Sequence, residues 1–126
     1  MPSKSSELPL RHIIENIERA TSAVDGRTPA TLAADWVQFY AVVRCLEIVS
    51  EASRRLEPAI RERHPEIAWR RIADAGNAYR HGYHEIEPAW IFETVVLSLP
   101  PLAAVVRAEL EPFDRAREER AAGRRT

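Results

Sequence analysis

An all-α fold, an antiparallel up-and-down bundle of four to five helices, is what this 126-residue sequence predicts. Three observations carry the prediction. Apolar residues recur at helical spacing through most of the chain. There are only four glycines, and no Asn-Gly or Asp-Gly step joins two alternating apolar runs, so a hairpin has nothing to turn on. Prolines punctuate the chain at places that suit helix boundaries, as at Pro58, Pro65 and Pro88. The length fits one domain with a real core, and 45% hydrophobic with 29% charged residues is ordinary globular composition.

The first helix is read from Leu10, Ile13, Ile14, Ile17 and Val24, with Glu15, Glu18 and Arg19 opposite and Asp25-Gly26 as its stop. Arg27 to Ala30 connects it to a longer helix, about Thr31 to Leu56, that carries Leu32, Trp36, Phe39, Tyr40, Val43, Leu46, Ile48 and Val49. Glu57-Pro58 breaks that helix, and Pro58 to Arg63 forms one short turn. His64-Pro65 leads into the next helix, with Pro65 suited to its first position. After a loop over His84 to Glu87, Pro88 opens a helix with Trp90, Ile91, Val95, Val96 and Leu99. Pro100-Pro101 should end or kink it, since two consecutive residues lack the amide donor. Helix then resumes from Leu102 to about Ala122. Residues 1–7 are expected to be disordered, 8–112 to form the domain, and 113–126 to be a charged helix end or tail.

Net charge is −1, which gives no bulk argument for nucleic-acid binding, and DNA binding is not expected. The basic residues number 18, and Lys4 is the only lysine among them. Arginine is the residue whose planar fork suits phosphate or carboxylate. The arginines at 115–125 alternate with acids and read as a solvated helix end. Cys45 is the only cysteine and lies on an apolar helix face, as a core thiol would. No apolar signal core follows Met1 to Glu7, and no stretch approaches the roughly 20 apolar residues of a membrane span, so a cytoplasmic protein is expected.

The chemically dense segment is Gly76-Asn77-Ala78-Tyr79-Arg80-His81-Gly82-Tyr83. On a helix over 69–81, Asn77, Arg80 and His81 stand at i, i+3 and i+4 and share a face. Gly82 offers a stop, which leaves Tyr83 just past the end. Such a polar cluster at a helix end suits an anionic substrate. The structural alternative is a buried network tying this helix to the second long one through Arg44 or Glu47. His81, His84 and Glu85 do not make a metal site if Gly82 interrupts the helix, and no further Cys/His cluster exists; no metal or cofactor is expected. Trp36, Trp69 and Trp90 fall at apolar positions and read as core or dimer-interface residues.

Three blocks together resemble the HepT-like branch of the HEPN superfamily, over about residues 8–110. They are Arg44-Cys45-Leu46-Glu47-Ile48-Val49-Ser50-Glu51-Ala52, with Ser50 where glycine is usual; His64-Pro65-Glu66-Ile67-Ala68-Trp69-Arg70-Arg71-Ile72; and residues 76–83, followed by Trp90 and Leu99-Pro100-Pro101-Leu102. The resemblance implies a homodimer with two copies of the cluster across a groove, and metal-independent RNA cleavage by a toxin that a minimal nucleotidyltransferase antitoxin neutralises. It implies that His81 is the acid/base, with Asn77 beside it. It also places Gly76 where the family's motif arginine should stand; a Gly-Asn-x-x-Arg-His-x-Tyr variant instead puts the arginine at Arg80. Tyr83 corresponds to the tyrosine on which the partner places AMP. The alternative function is a non-catalytic HEPN subunit that binds a nucleotidyltransferase or nucleotide after losing the arginine.

Overall fold

A computed structural model describes residues 2–81 and 86–125, with His81 described by its backbone alone. Among the described residues seven α-helices and one π turn follow each other: α1 (Lys4–Val24), α2 (Pro29–Ala34), α3 (Trp36–Arg54), α4 (Pro58–Arg63), α5 (Trp69–His81), α6 (Pro88–Glu93), the π turn (Thr94–Ser98) and α7 (Leu99–Arg125). No strand occurs among the described residues. The fold is the expected all-α bundle: four long helices, α1, α3, α5 and α7, with short ones filling the connections. α1 packs on α3 and α7, α3 packs on α5, and α6 packs mainly on α2.

The core follows from the helical phase of the apolar residues. Leu10, Ile13, Ile17 and Val24 of α1 are buried against Phe39, Val42, Leu46 and Val49 of α3 and against Leu102, Val106 and Leu110 of α7. Gly26 ends the first segment at φ +71°, the left-handed region that glycine reaches without strain.

Several boundaries differ from the sequence reading. The helix expected over 31–56 is two helices, because each half carries its own cap. Thr28 and Thr31 form a reciprocal capping box at the start of α2, and the Asp35 carboxylate accepts from the Gln38 amide at 3.2 Å to open α3. That break turns Trp36 outward at 66% exposure, edge-on to Tyr40 with ring centroids 5.7 Å apart. Trp36 is therefore not a core residue. Pro65 lies in a turn, not at a first helical position, and α5 begins at Trp69, whose indole N–H donates to the His64 carbonyl at 2.9 Å. Pro100-Pro101 does not end the helix, which runs on continuously from Pro88 to Arg125. The π turn closed by the Leu99 amide on the Thr94 carbonyl widens the preceding turn and moves carbonyls off the proline rings.

The N-terminal segment is helical where disorder was expected, and the C-terminal one is a charged helix end. α1 begins at Lys4 within the segment read as disordered, and the Ser3 amide donates to Glu57 Oε1 at 2.7 Å. α7 continues to Arg125, tied to α1 through Arg11–Asp114 at 2.8 Å and Arg117–Glu7 at 2.7 Å. The continuous helical run Pro88–Arg125 also corrects the hydropathy reading. It contains an 18-residue window of mean hydropathy 1.8, apolar enough by length and composition to cross a membrane. In the bundle its Ile91, Val95, Leu99, Leu102 and Leu110 are buried in the core.

Candidate functional site

The site is built on the last two turns of α5. This helix presents three rows of side chains there. Gly76 and Arg80, four residues apart, face α3; Asn77 stands on the next row, turned by about 100°. Tyr79 points the opposite way into the core, where it is 4% exposed and its ring lies 5.4 Å from that of Trp90. Tyr79 therefore anchors the turn whose other faces carry the polar cluster. Burial pushes its phenol up to about 12, a hydrogen bond with Thr94 offsetting part of the rise.

Asn77 and Arg80 are both exposed. Arg80 folds back along α5, and its Nε donates to the Gly76 carbonyl at 3.4 Å. The guanidinium thus lies against the Gly76 backbone, one helical turn back along α5. Its side chain helps line a cleft of about 240 Å³ with Glu47, Ser50, Glu51, Arg54 and Arg55. The two carboxylates of that cleft are matched within α3, Glu47 by Arg44 at 2.9 Å and Glu51 by Arg55 at 3.0 Å. Among the described residues neither Arg80 nor Arg54 has a carboxylate partner, so both keep net positive charge for an anion. A wider, mostly apolar groove of about 880 Å³ runs along another side of α5, past Trp69, Ala75, Ala78 and Trp90.

Arg44 and Glu47 bond each other, with Arg44 largely exposed and Glu47 at the cleft. The hydrogen bonds joining α3 to α5 come from two other residues. The Ser50 hydroxyl, 2% exposed, donates to the Ala73 carbonyl at 2.9 Å and accepts from the Gly76 amide at 3.0 Å. Arg54 donates to the same Ala73 carbonyl through Nε at 3.1 Å and Nη2 at 2.6 Å. The sequence reading missed Arg54 and Tyr79 as parts of this site. The signals were available: Arg54 lies one turn beyond Ser50 on α3, and Tyr79 continues the apolar phase of Ile72 and Ala75.

His81 ends α5 in sequence next to Arg80, and its side chain lies outside the described residues, as do Gly82, Tyr83, His84 and Glu85. The expected helix stop, the AMP-accepting tyrosine and the His81/His84/Glu85 cluster all fall there. Among the described residues no group of three His, Cys, Asp or Glu side chains is placed to hold a metal. Cys45 is buried, and burial raises its thiol pKa, which keeps it a neutral core thiol.

The sequence model of the family described as "Ribonuclease HepT-like" matches residues 13–109. A protein named "Putative RNase TTE0752", from Caldanaerobacter subterraneus subsp. tengcongensis, is 31% identical over 102 residues, 81% of this chain and 91% of that one. "Probable ribonuclease HepT" of Thermococcus cleftensis is 35% identical over 63 residues, 50% of this chain and 57% of that one. "Putative RNase MJ1216" of Methanocaldococcus jannaschii is 33% identical over 63 residues, 50% of this chain and 52% of that one. No solved structure matches the chain.

Proposed function

The chain belongs to the ribonuclease HepT-like family, and on that premise we propose that it is a toxin-type endoribonuclease that cleaves RNA without a metal. The observation that carries this reading is the placement of Arg80. It is exposed, has no carboxylate partner among the described residues, and folds back to the Gly76 carbonyl, one helical turn from the empty arginine position. A fixed cation there stabilises charge building on the phosphoryl oxygens of the transition state, the kind of contact worth about 10²–10³ in rate.

The chemistry assigns the remaining roles. Cleavage needs a base to take the ribose 2′-hydroxyl proton as that oxygen attacks phosphorus, and an acid to protonate the departing 5′ oxygen. Histidine titrates in the range that serves either task, and His81 is next to Arg80 in sequence. Asn77 lies one turn before His81 on α5 and positions the histidine or the phosphate. Arg54 adds a second cation to the cleft. Two copies meeting across the groove form the working unit, and a minimal nucleotidyltransferase neutralises it by placing AMP on Tyr83, whose added bulk and negative charge oppose RNA.

Gly76 supports the other reading, a non-catalytic subunit of the same fold, because it removes the family's motif arginine. Expression in a bacterial host separates the two. A ribonuclease toxin arrests growth and the His81→Ala variant does not, while a co-expressed minimal nucleotidyltransferase restores growth. Equal arrest by wild type and variant would sink the assignment of His81.

A further inference from the structure

Ser50 and Gly76 touch each other where α3 crosses α5. A Cβ built on Gly76 lies 2.4 Å from Ser50 Oγ and 2.9 Å from Ser50 Cβ. Rotating the hydroxyl relieves the first contact and leaves the second, because Cβ is fixed to the α3 backbone. Rotation also breaks both hydrogen bonds that Ser50 makes to α5, to the Ala73 carbonyl and from the Gly76 amide. With serine at 50, no side chain fits at 76 unless the helices separate. A glycine at 50 removes the obstructing atoms and opens the crossing.

We infer that Ser50 is the positioning residue that decides where the cation of the site stands: it closes position 76 to arginine, draws the α5 backbone against α3, and leaves Arg80 as the group that serves the cleft. The inference deepens the ribonuclease reading and rests on it for its catalytic half. Ser50 and Arg80 line the same cleft. A side chain at 76 would start toward Ser50, at the edge of that cleft.

The experiment is a set of variants of the full chain read by thermal unfolding and by RNA cleavage in EDTA. Gly76→Ala in the Ser50 background should lower Tm by roughly 5–15 °C, the scale of overpacking in a domain of this size. Ser50→Gly should largely suppress that loss, while Ser50→Ala, which keeps the offending Cβ, should not. Arg80→Ala should reduce cleavage about 10²–10³-fold. Adding Ser50→Gly and Gly76→Arg together should recover at least about tenfold of it, since they restore a cation to the same cleft. A merely structural Ser50 would give no such rescue. Gly76→Ala folding as stably as wild type overturns the steric half of the inference. A folded triple variant no more active than Arg80→Ala overturns the catalytic half. If the wild type itself leaves RNA intact, the ribonuclease reading fails alone, because the thermal coupling between 50 and 76 is read without substrate.

Discussion

Tyr79 links the packing of the bundle to the site, and its ionisation gives a direct test of how firmly α5 is held. The phenol has an ordinary value of 10.0 and is pushed up to about 12 in the fold, chiefly by burial. The charged form is therefore disfavoured in the native state and free to form in the unfolded chain. Stability from this group is fully present below pH 10 and is lost as the pH rises from 10 towards 12. Two units correspond to about 2–3 kcal/mol, or roughly 6–15 °C in Tm for a domain of this size. Tyr79→Phe removes the titration. It costs about 1 kcal/mol at neutral pH for the bond to Thr94, and its Tm should fall less steeply on the alkaline side. Since every other ionisable group is common to both proteins, the difference between the two Tm-versus-pH curves isolates Tyr79. Absorbance near 295 nm supplies an independent reading, with a phenol ionising near 12 in the wild type that Tyr79→Phe removes. Parallel alkaline limbs for wild type and variant would refute the burial argument, and with it the anchoring of Asn77 and Arg80 by an inward Tyr79.

Two further predictions concern the scaffold. Glu109, 8% exposed on α7, accepts Arg63 Nε at 2.9 Å and lies 3.5 Å from His64 Nε2, joining the chain around α4 to α7. Arg63→Ala strands that carboxylate and should cost about 2–3 kcal/mol in urea unfolding, below the scale for fully buried pairs because Arg63 is itself 42% exposed; Glu109→Gln should cost less. Asp35→Ala removes the side-chain cap of α3 and should cost about 1 kcal/mol, whereas Asp35→Asn should be nearly neutral.

The fold was legible in the sequence because helical phase is a local property. Leu10, Ile13 and Ile17, or Leu102, Val106 and Leu110, advertise a buried stripe wherever the partner helix lies. The division at Asp35 was also written locally, in Thr28-Pro29 and in the Asp35 cap, and was masked by apolar residues that keep nearly the same phase across it. Trp36 shows the cost of that merger, since its side of the helix is set by where α3 starts. The π turn before Pro100-Pro101 needed a different kind of knowledge, namely that a long rod packed on α1 absorbs two prolines by widening instead of breaking.

For the site, the reach of Arg80 back over one turn to the Gly76 carbonyl follows from side-chain length alone. The contact between Ser50 and Gly76 spans 26 residues and depends on a helix crossing that no periodicity reports. The same applies to Arg54 on the Ala73 carbonyl.

Cleavage of RNA by the purified protein in excess EDTA, beside Arg80→Ala and His81→Ala, tests the central claim most directly. The account predicts cleavage by the wild type that metal removal does not diminish, a loss of about 10²–10³-fold on Arg80→Ala, and a loss at least as large on His81→Ala. Intact RNA with folded wild-type protein, or full activity in Arg80→Ala, would contradict it.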